Sequence, residues 1–196
     1  MSTAFVVQTF GVPTFGSVTE KAPSEKFTES RAVWSFRHAL LACDFDGGQL
    51  WAFTVISRDR WFRPRLEPLT NGQVRGRLGK DTFGALVDGM PQKVANHHGA
   101  STINYAEHHY FGRPGAYFDY VLNASSFSVP SPHPLGFMVD GDSYEGMETA
   151  IEAYRVANKP NALTVSAGQR GGGWWFNRIL MDEIEQASMS PVRAKT

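Results

Sequence analysis

Residues 102–123, TINYAEHHYFGRPGAYFDYVLN, decide how the rest of the chain is read. Thr102–Phe111 and Ala116–Asn123 are rich in aromatic and β-branched residues, which suit a pleated surface. Between them stands Gly112-Arg113-Pro114-Gly115, a tight-turn sequence in which glycine supplies unusual backbone angles and proline presets φ. The stretch therefore predicts an antiparallel hairpin at the middle of the fold. A turn symmetric about Arg113-Pro114 sets His108 directly opposite Asp119, with Tyr110 opposite Tyr117 on the same face. Directly opposed side chains have Cβ atoms about 4.5–5.5 Å apart. A carboxylate at that range orients an imidazole and favours its protonated form. The pair is half of a general-base apparatus, for which Ser125, Ser126 or Ser128 could supply a nucleophile. No nucleophile-elbow motif accompanies them. A stabilising cross-strand pair is the plainer reading.

Five of the six histidines fall between Asn96 and Leu135. His97, His98 and His133 are candidate metal ligands beside one of the hairpin histidines and Glu107 or Asp119. Strand geometry limits the set. Neighbours on a strand point to opposite faces, so His108 and His109 cannot both enter one site. No H-E-x-x-H pattern or fixed-spacing facial triad is present, and no cofactor is implied.

Upstream, residues 1–30 read as an irregular arm, with one short strand in AFVVQTFGVPTFGSV (4–18) and a polar loop after it. Arg31–Phe45 fits helical and strand spacing alike; the Asp46-Gly47-Gly48 turn signal and the apolar run Leu50–Ile56 favour strands for both. Trp61–Leu69 carries Pro64 and Pro68, which places it at an edge. Val74–Leu78 alternates, with Arg75 and Arg77 on the face away from Val74 and Leu78. Asp81 is positioned to cap a short helix over Thr82–Met90.

From Arg58 to Lys80 there are seven basic residues against Asp59 and Glu67. Arg63, Arg65, Arg75 and Arg77, with Trp61 among them, form a candidate interface or anion-binding surface. Such a surface could grip a phosphate backbone or an acidic neighbour. Asp140, Asp142, Glu145, Glu148 and Glu152, and further on Asp182, Glu183 and Glu185, offer acidic surfaces on the same chain.

Downstream, Asp142 and Glu145 form a D-x-x-E start for a helix ending at Ala157. Ala162–Ala167 reads as a strand, Gly168–Gly173 as a loop and Trp174–Ala187 as a second helix. The loop GQRGGG lacks the spacing of either phosphate-binding glycine motif. Strands first and a helix–strand–helix tail afterwards predict one α+β domain over 1–196. Its largely antiparallel sheet would carry two C-terminal helices packed on one side, and residues 188–196 would form a polar tail.

Formal net charge is zero over 196 residues, which gives no general pull toward nucleic acid or an anionic membrane. A single cysteine, Cys43, excludes an internal disulfide. The opening segment lacks a charged n-region and a long apolar run, so neither a secretion signal nor a membrane span is expected. These features together lead to the expectation of a non-enzymatic structural subunit of a homo-oligomeric assembly. A virion or tail-like component is its type, cytoplasmic or within the virion, with copies of itself and other assembly subunits as partners. The first alternative is a His108/Asp119-dependent hydrolase or nuclease, metal-assisted through His97, His98 or His133. The second is a nucleic-acid or glycan-binding module working through the arginines and Trp61.

Overall fold

A computed structural model describes residues 1–16, 29–98, 103–113, 116–125, 139–141 and 144–167. Helix α1 (Thr3–Phe10) comes first, followed by strands β1 (Phe15–Gly16), β2 (Glu29–Ser35), β3 (Ala39–Asp46) and β4 (Gln49–Ser57). A one-turn helix α2 (Phe83–Leu86) precedes β5 (Lys93–His98), β6 (Ile103–Arg113), β7 (Ala116–Ser125) and β8 (Val139–Gly141). Helix α3 (Glu148–Ala157) and strand β9 (Ala162–Ala167) complete the described chain. The nine strands make one sheet in the order β1-β2-β3-β4-β9-β7-β6-β5-β8. Every pairing is antiparallel.

The expected α+β arrangement, with two C-terminal helices on one side of a sheet, is overturned. The sheet dominates, and among the described residues the helices are short: α3, the longest of these, has ten residues. Of the two helices expected at the C-terminal end only α3 falls within the described residues; Trp174–Ala187, the glycine-rich loop and the tail lie outside them.

A helix also stands where the first strand was expected. Residues 3–10 contain neither proline nor glycine, and the Ser2 hydroxyl accepts the Phe5 amide at the N-cap. Capping and the burial of Thr3 and Val6 on one stripe outweigh the β-propensity of Val6-Val7. The Trp34 indole N–H donates to the Gly11 carbonyl at 3.0 Å, fastening the end of α1 to β2. Arg31–Phe45 is two strands, parted at Phe36–His38, where the Phe36 amide donates to the Ala39 carbonyl.

Two further helices are shorter than their sequence signals. Helix α2 spans four residues because the chain is already extended at Val87; its N-cap is Thr82, and the Asp81 carboxylate accepts the Arg77 amide at 2.7 Å instead of capping it. Helix α3 begins at Glu148 because Gly146 takes a positive φ of 81° that no α-helix contains. Asp142 lies outside the described residues.

The main core lies on one face of the sheet. Tyr105, Tyr120, Leu122, Leu163 and Val165 project from β6, β7 and β9 and meet Ile151 and Tyr154 of α3, with Leu66, Val74, Leu78, Phe83 and Leu86 from the connection between β4 and β5. The Tyr105 ring packs against Tyr154 (centroids 4.2 Å apart) and edge-on to Phe83 (5.2 Å). Residues of β2 and β3, with Val6 of α1, form a second cluster around Trp34 and Phe45. It includes Cys43, whose thiol is pushed up to about 12 by burial and by the neighbouring Asp44 charge, so it is an inert core residue.

Candidate functional site

In β6, alternation sends Tyr105, Glu107 and His109 to the core face and Ala106 and His108 to the other. The hairpin closes on the pair Arg113–Ala116, one residue later than a turn centred on Arg113-Pro114 would. Each partner therefore moves by two: His108 faces Val121, and Asp119 faces Tyr110. A shift of two preserves the face. His108 and Asp119 remain diagonal neighbours, with Nδ1 and Oδ2 3.0 Å apart. The imidazole is 4% and the carboxylate 13% exposed. Among the described residues no hydroxyl or thiol is hydrogen-bonded to His108; its described partner is the Asp119 carboxylate. Ser126, Ser128 and His133 lie outside the described residues, and of the side chain of Ser125 nothing is described. His97 and His98 are adjacent in β5, and of their side chains nothing is described. No group of three metal-capable side chains gathers among the described residues.

On the core face β6 carries a cluster that sequence reasoning missed. Glu107 is fully buried. Its Oε1 accepts the Tyr105 hydroxyl at 2.6 Å, and its Oε2 pairs with His109 Nε2 at 3.1 Å. Arg155 of α3 places its Nε 2.9 Å from Oε1 and 3.1 Å from Oε2. The two outer nitrogens of that guanidinium donate to the Gly89 carbonyl at 2.5 Å and the Val87 carbonyl at 2.8 Å. One side chain thus ties helix, sheet and the segment after α2 together. Burial, then the Glu107 charge, pushes the Tyr105 and Tyr154 hydroxyls far above the ordinary phenol range, so both stay neutral. With no solvent access at Glu107, this arrangement is architectural. The available signal was Arg155 itself, which stands next to the apolar stripe of α3 (Ile151, Tyr154) rather than across from it.

The arginine-rich segment is a compact loop. Its expected strand Val74–Leu78 is reduced to an isolated bridge between Arg65 and Arg77. Burial alternates as the sequence implied: Val74 and Leu78 are fully enclosed, while Arg75 and Arg77 are exposed. Proline at 64 and 68 withholds two amide donors, which keeps the pairing short. The buried Thr70 hydroxyl takes over the work of a ladder, lying within hydrogen-bond range of the Leu66 and Val74 carbonyls and accepting the Val74 amide. Glu67 Oε1 accepts the Gly76 amide at 3.2 Å; bonds from its own amide and from Gly76 hold its carboxyl below the usual range. Arg63, Arg65, Arg75 and Arg77 are all exposed, as is Trp61 at 72%, with the Arg60 guanidinium over its ring. Among the described residues none of these four arginines makes a salt bridge. On α3 and just before it, Glu145, Glu148 and Glu152 are exposed, and among the described residues none of them makes a salt bridge. The Asp140 side chain and residues 142, 182, 183 and 185 lie outside the described part.

The root of this loop is held by the sixth histidine. His38 Nδ1 lies 2.5 Å from Asp59 Oδ2, and Asp59 Oδ1 accepts the Trp61 amide at 2.8 Å. The bond to His38 is the main reason that the Asp59 carboxyl sits below its ordinary 3.8, with partial burial opposing and the Trp61 amide assisting. A carboxyl depressed on folding gives stability that is complete above about pH 4 and is lost as pH falls through the lowered folded value. Acidification from pH 6 to pH 3 is therefore expected to weaken the native protein more than the Asp59→Asn variant. Urea denaturation at the two pH values measures this, and identical losses in both proteins would refute the clamp.

No protein-family model matches the chain, and no curated protein matches it. One solved structure is similar over part of its length, the "putative beta-lactamase inhibitor protein" of Streptococcus mutans. It is 11% identical, with 64% of this chain and 76% of that one covered and a TM-score of 0.26. A likeness that slight carries no argument about fold or activity. Among the described residues no helix is long and apolar enough to cross a membrane.

Proposed function

We propose that this protein is a non-enzymatic subunit of a homo-oligomeric assembly, of the kind found in virions and tail-like structures. In it the arginine loop of one copy docks on the acidic surface of α3 in the next. The observation that carries this reading is the pair of unsatisfied surfaces. Among the described residues Arg63, Arg65, Arg75 and Arg77 are exposed without an ion pair, and Glu145, Glu148 and Glu152 are exposed without one, on a chain of zero formal net charge. Two different patches meeting head to tail generate a ring or a filament. Complementary potentials set register and speed encounter more than they add affinity, so the contact weakens as salt rises.

Charge exchange tests it. The variant Arg63→Glu/Arg65→Glu/Arg75→Glu/Arg77→Glu presents two acidic patches, and Glu145→Lys/Glu148→Lys/Glu152→Lys presents two basic ones. Size-exclusion chromatography with light scattering is expected to show oligomers for the native chain at low salt and monomers for each variant alone. An equimolar mixture of the two is expected to give oligomers again. A native protein that stays monomeric at high concentration ends the proposal, and so does a mixture that fails to reassociate although both variants are folded.

A further inference from the structure

We infer that Arg65 and Arg77 form a fork for a small tetrahedral oxyanion of the phosphate class, which competes with a neighbouring copy's carboxylates; the competition, though not the binding, rests on the assembly reading above. Arg65 and Arg77 face each other across the isolated bridge, so their Cβ atoms are about 5 Å apart. Continuing the antiparallel register puts Arg63 and Arg75, each two residues away, on the same face. Like charges placed directly opposite destabilise a strand pair. Here the juxtaposition is held by a backbone that cannot relax it: Thr70 bonds both limbs, Leu66, Val74 and Leu78 are fully buried beneath, and Gly76 is packed against Asp81 and Leu86.

One guanidinium is already oriented, since an outer nitrogen of Arg77 donates to the Arg63 carbonyl at 3.2 Å. Two carboxylates are engaged beside the bridge: Glu67, whose Oε1 accepts the Gly76 amide and whose carboxyl the Arg65 and Arg77 charges help to hold low, and Asp81, which accepts the Arg77 amide. Two carboxylates against four arginines leave this surface net positive. A planar guanidinium binds a tetrahedral oxyanion through two parallel N–H donors, and two of them on one rigid platform offer the four donors that a phosphate's oxygens accept. Carboxylates of a neighbouring α3 would use the same donors, so an oxyanion in solution displaces them.

Binding is read apart from assembly in the background Glu145→Gln/Glu148→Gln/Glu152→Gln, which retains the loop and lacks the acidic patch. Isothermal titration with inorganic phosphate, against chloride at equal ionic strength, is expected to show saturable binding of one ion. Arg65→Lys and Arg77→Lys keep the charge and lose the fork; each is expected to weaken binding about tenfold or more, with thermal unfolding confirming an intact fold. Phosphate that behaves like chloride overturns the fork, as does undiminished binding in both lysine variants. A phosphodiester oligonucleotide serves as the second probe. If it binds far more tightly than phosphate with a steep salt dependence, the site is a polyanion groove and the small-ion inference falls. In the native chain, phosphate at constant ionic strength is expected to dissociate the oligomer. Oligomers that ignore phosphate refute the competition. A chain that is monomeric without phosphate removes the assembly reading and the competition with it, while the titration alone still decides the fork.

Discussion

Replacing Arg155 with alanine is expected to cost about 3–5 kcal/mol, enough to unfold a marginally stable domain. The substitution strands Glu107 as a fully buried carboxylate whose remaining partners are the Tyr105 hydroxyl and His109. It also leaves the Val87 and Gly89 carbonyls without the donors they now have. Breaking a buried pair from one side is costly because the surviving charge can neither reach water nor find a new partner. Removing both charges is the informative control. Glu107→Gln/Arg155→Met takes away the stranded ion, keeps an amide to partner the Tyr105 hydroxyl and His109, and leaves the Val87 and Gly89 carbonyls without their donors, so it should be more stable than Arg155→Ala. Urea denaturation followed by tryptophan fluorescence gives all three free energies. A loss below about 1 kcal/mol in Arg155→Ala would show that the cluster is not what holds α3 to the sheet.

Gly76→Ala carries the second large expectation, a loss of about 2–4 kcal/mol with the arginine loop as its centre. A Cβ at this position would stand 2.7 Å from Asp81 Oδ2 and 2.8 Å from the Leu86 side chain, on a backbone with φ of 112°. Neither neighbour is free to give. Asp81 holds the Arg77 amide, and Leu86 is buried in the core. The comparison is Gly72→Ala, where φ is 77° and nothing lies within 4 Å. That variant meets only the backbone penalty, about 1 kcal/mol. Equal destabilisation of the two by urea titration would mean that packing around Gly76 is not the constraint. If the loop's rigidity is what aligns its arginines, Gly76→Ala should also lose oligomers at a temperature where its fold persists.

What could be read from the sequence was local. The hairpin at Gly112–Gly115 and the turn at Asp46-Gly47-Gly48 follow from residues within a few positions of each other, and both strand pairs form there. The contact between His108 and Asp119 was also legible. It survived an incorrect register because a displacement of two keeps both side chains on one face. The alternation of Val74, Arg75, Arg77 and Leu78 between core and solvent was visible although no extended ladder forms. What was hidden depends on distant partners. Nothing near Glu107 announces that its counter-ion is Arg155, 48 residues later. Nothing near His38 announces Asp59. The apolar run Ala4–Val7 is equally compatible with strand and helix, and a single serine cap together with β2 beneath it decides the matter.

Strand β9, residues 162–167, lies between β4 and β7, so it joins the half of the sheet built from residues 15–57 to the half built from 93–141. On a ribosome the keystone emerges after both halves. Until it arrives, the outer rims of β4 and β7 are bare rows of amides and carbonyls, open to pairing with other nascent chains. Low temperature, slow translation or a chaperone that shields these rims should therefore raise the soluble yield more than any change to the finished protein's surface.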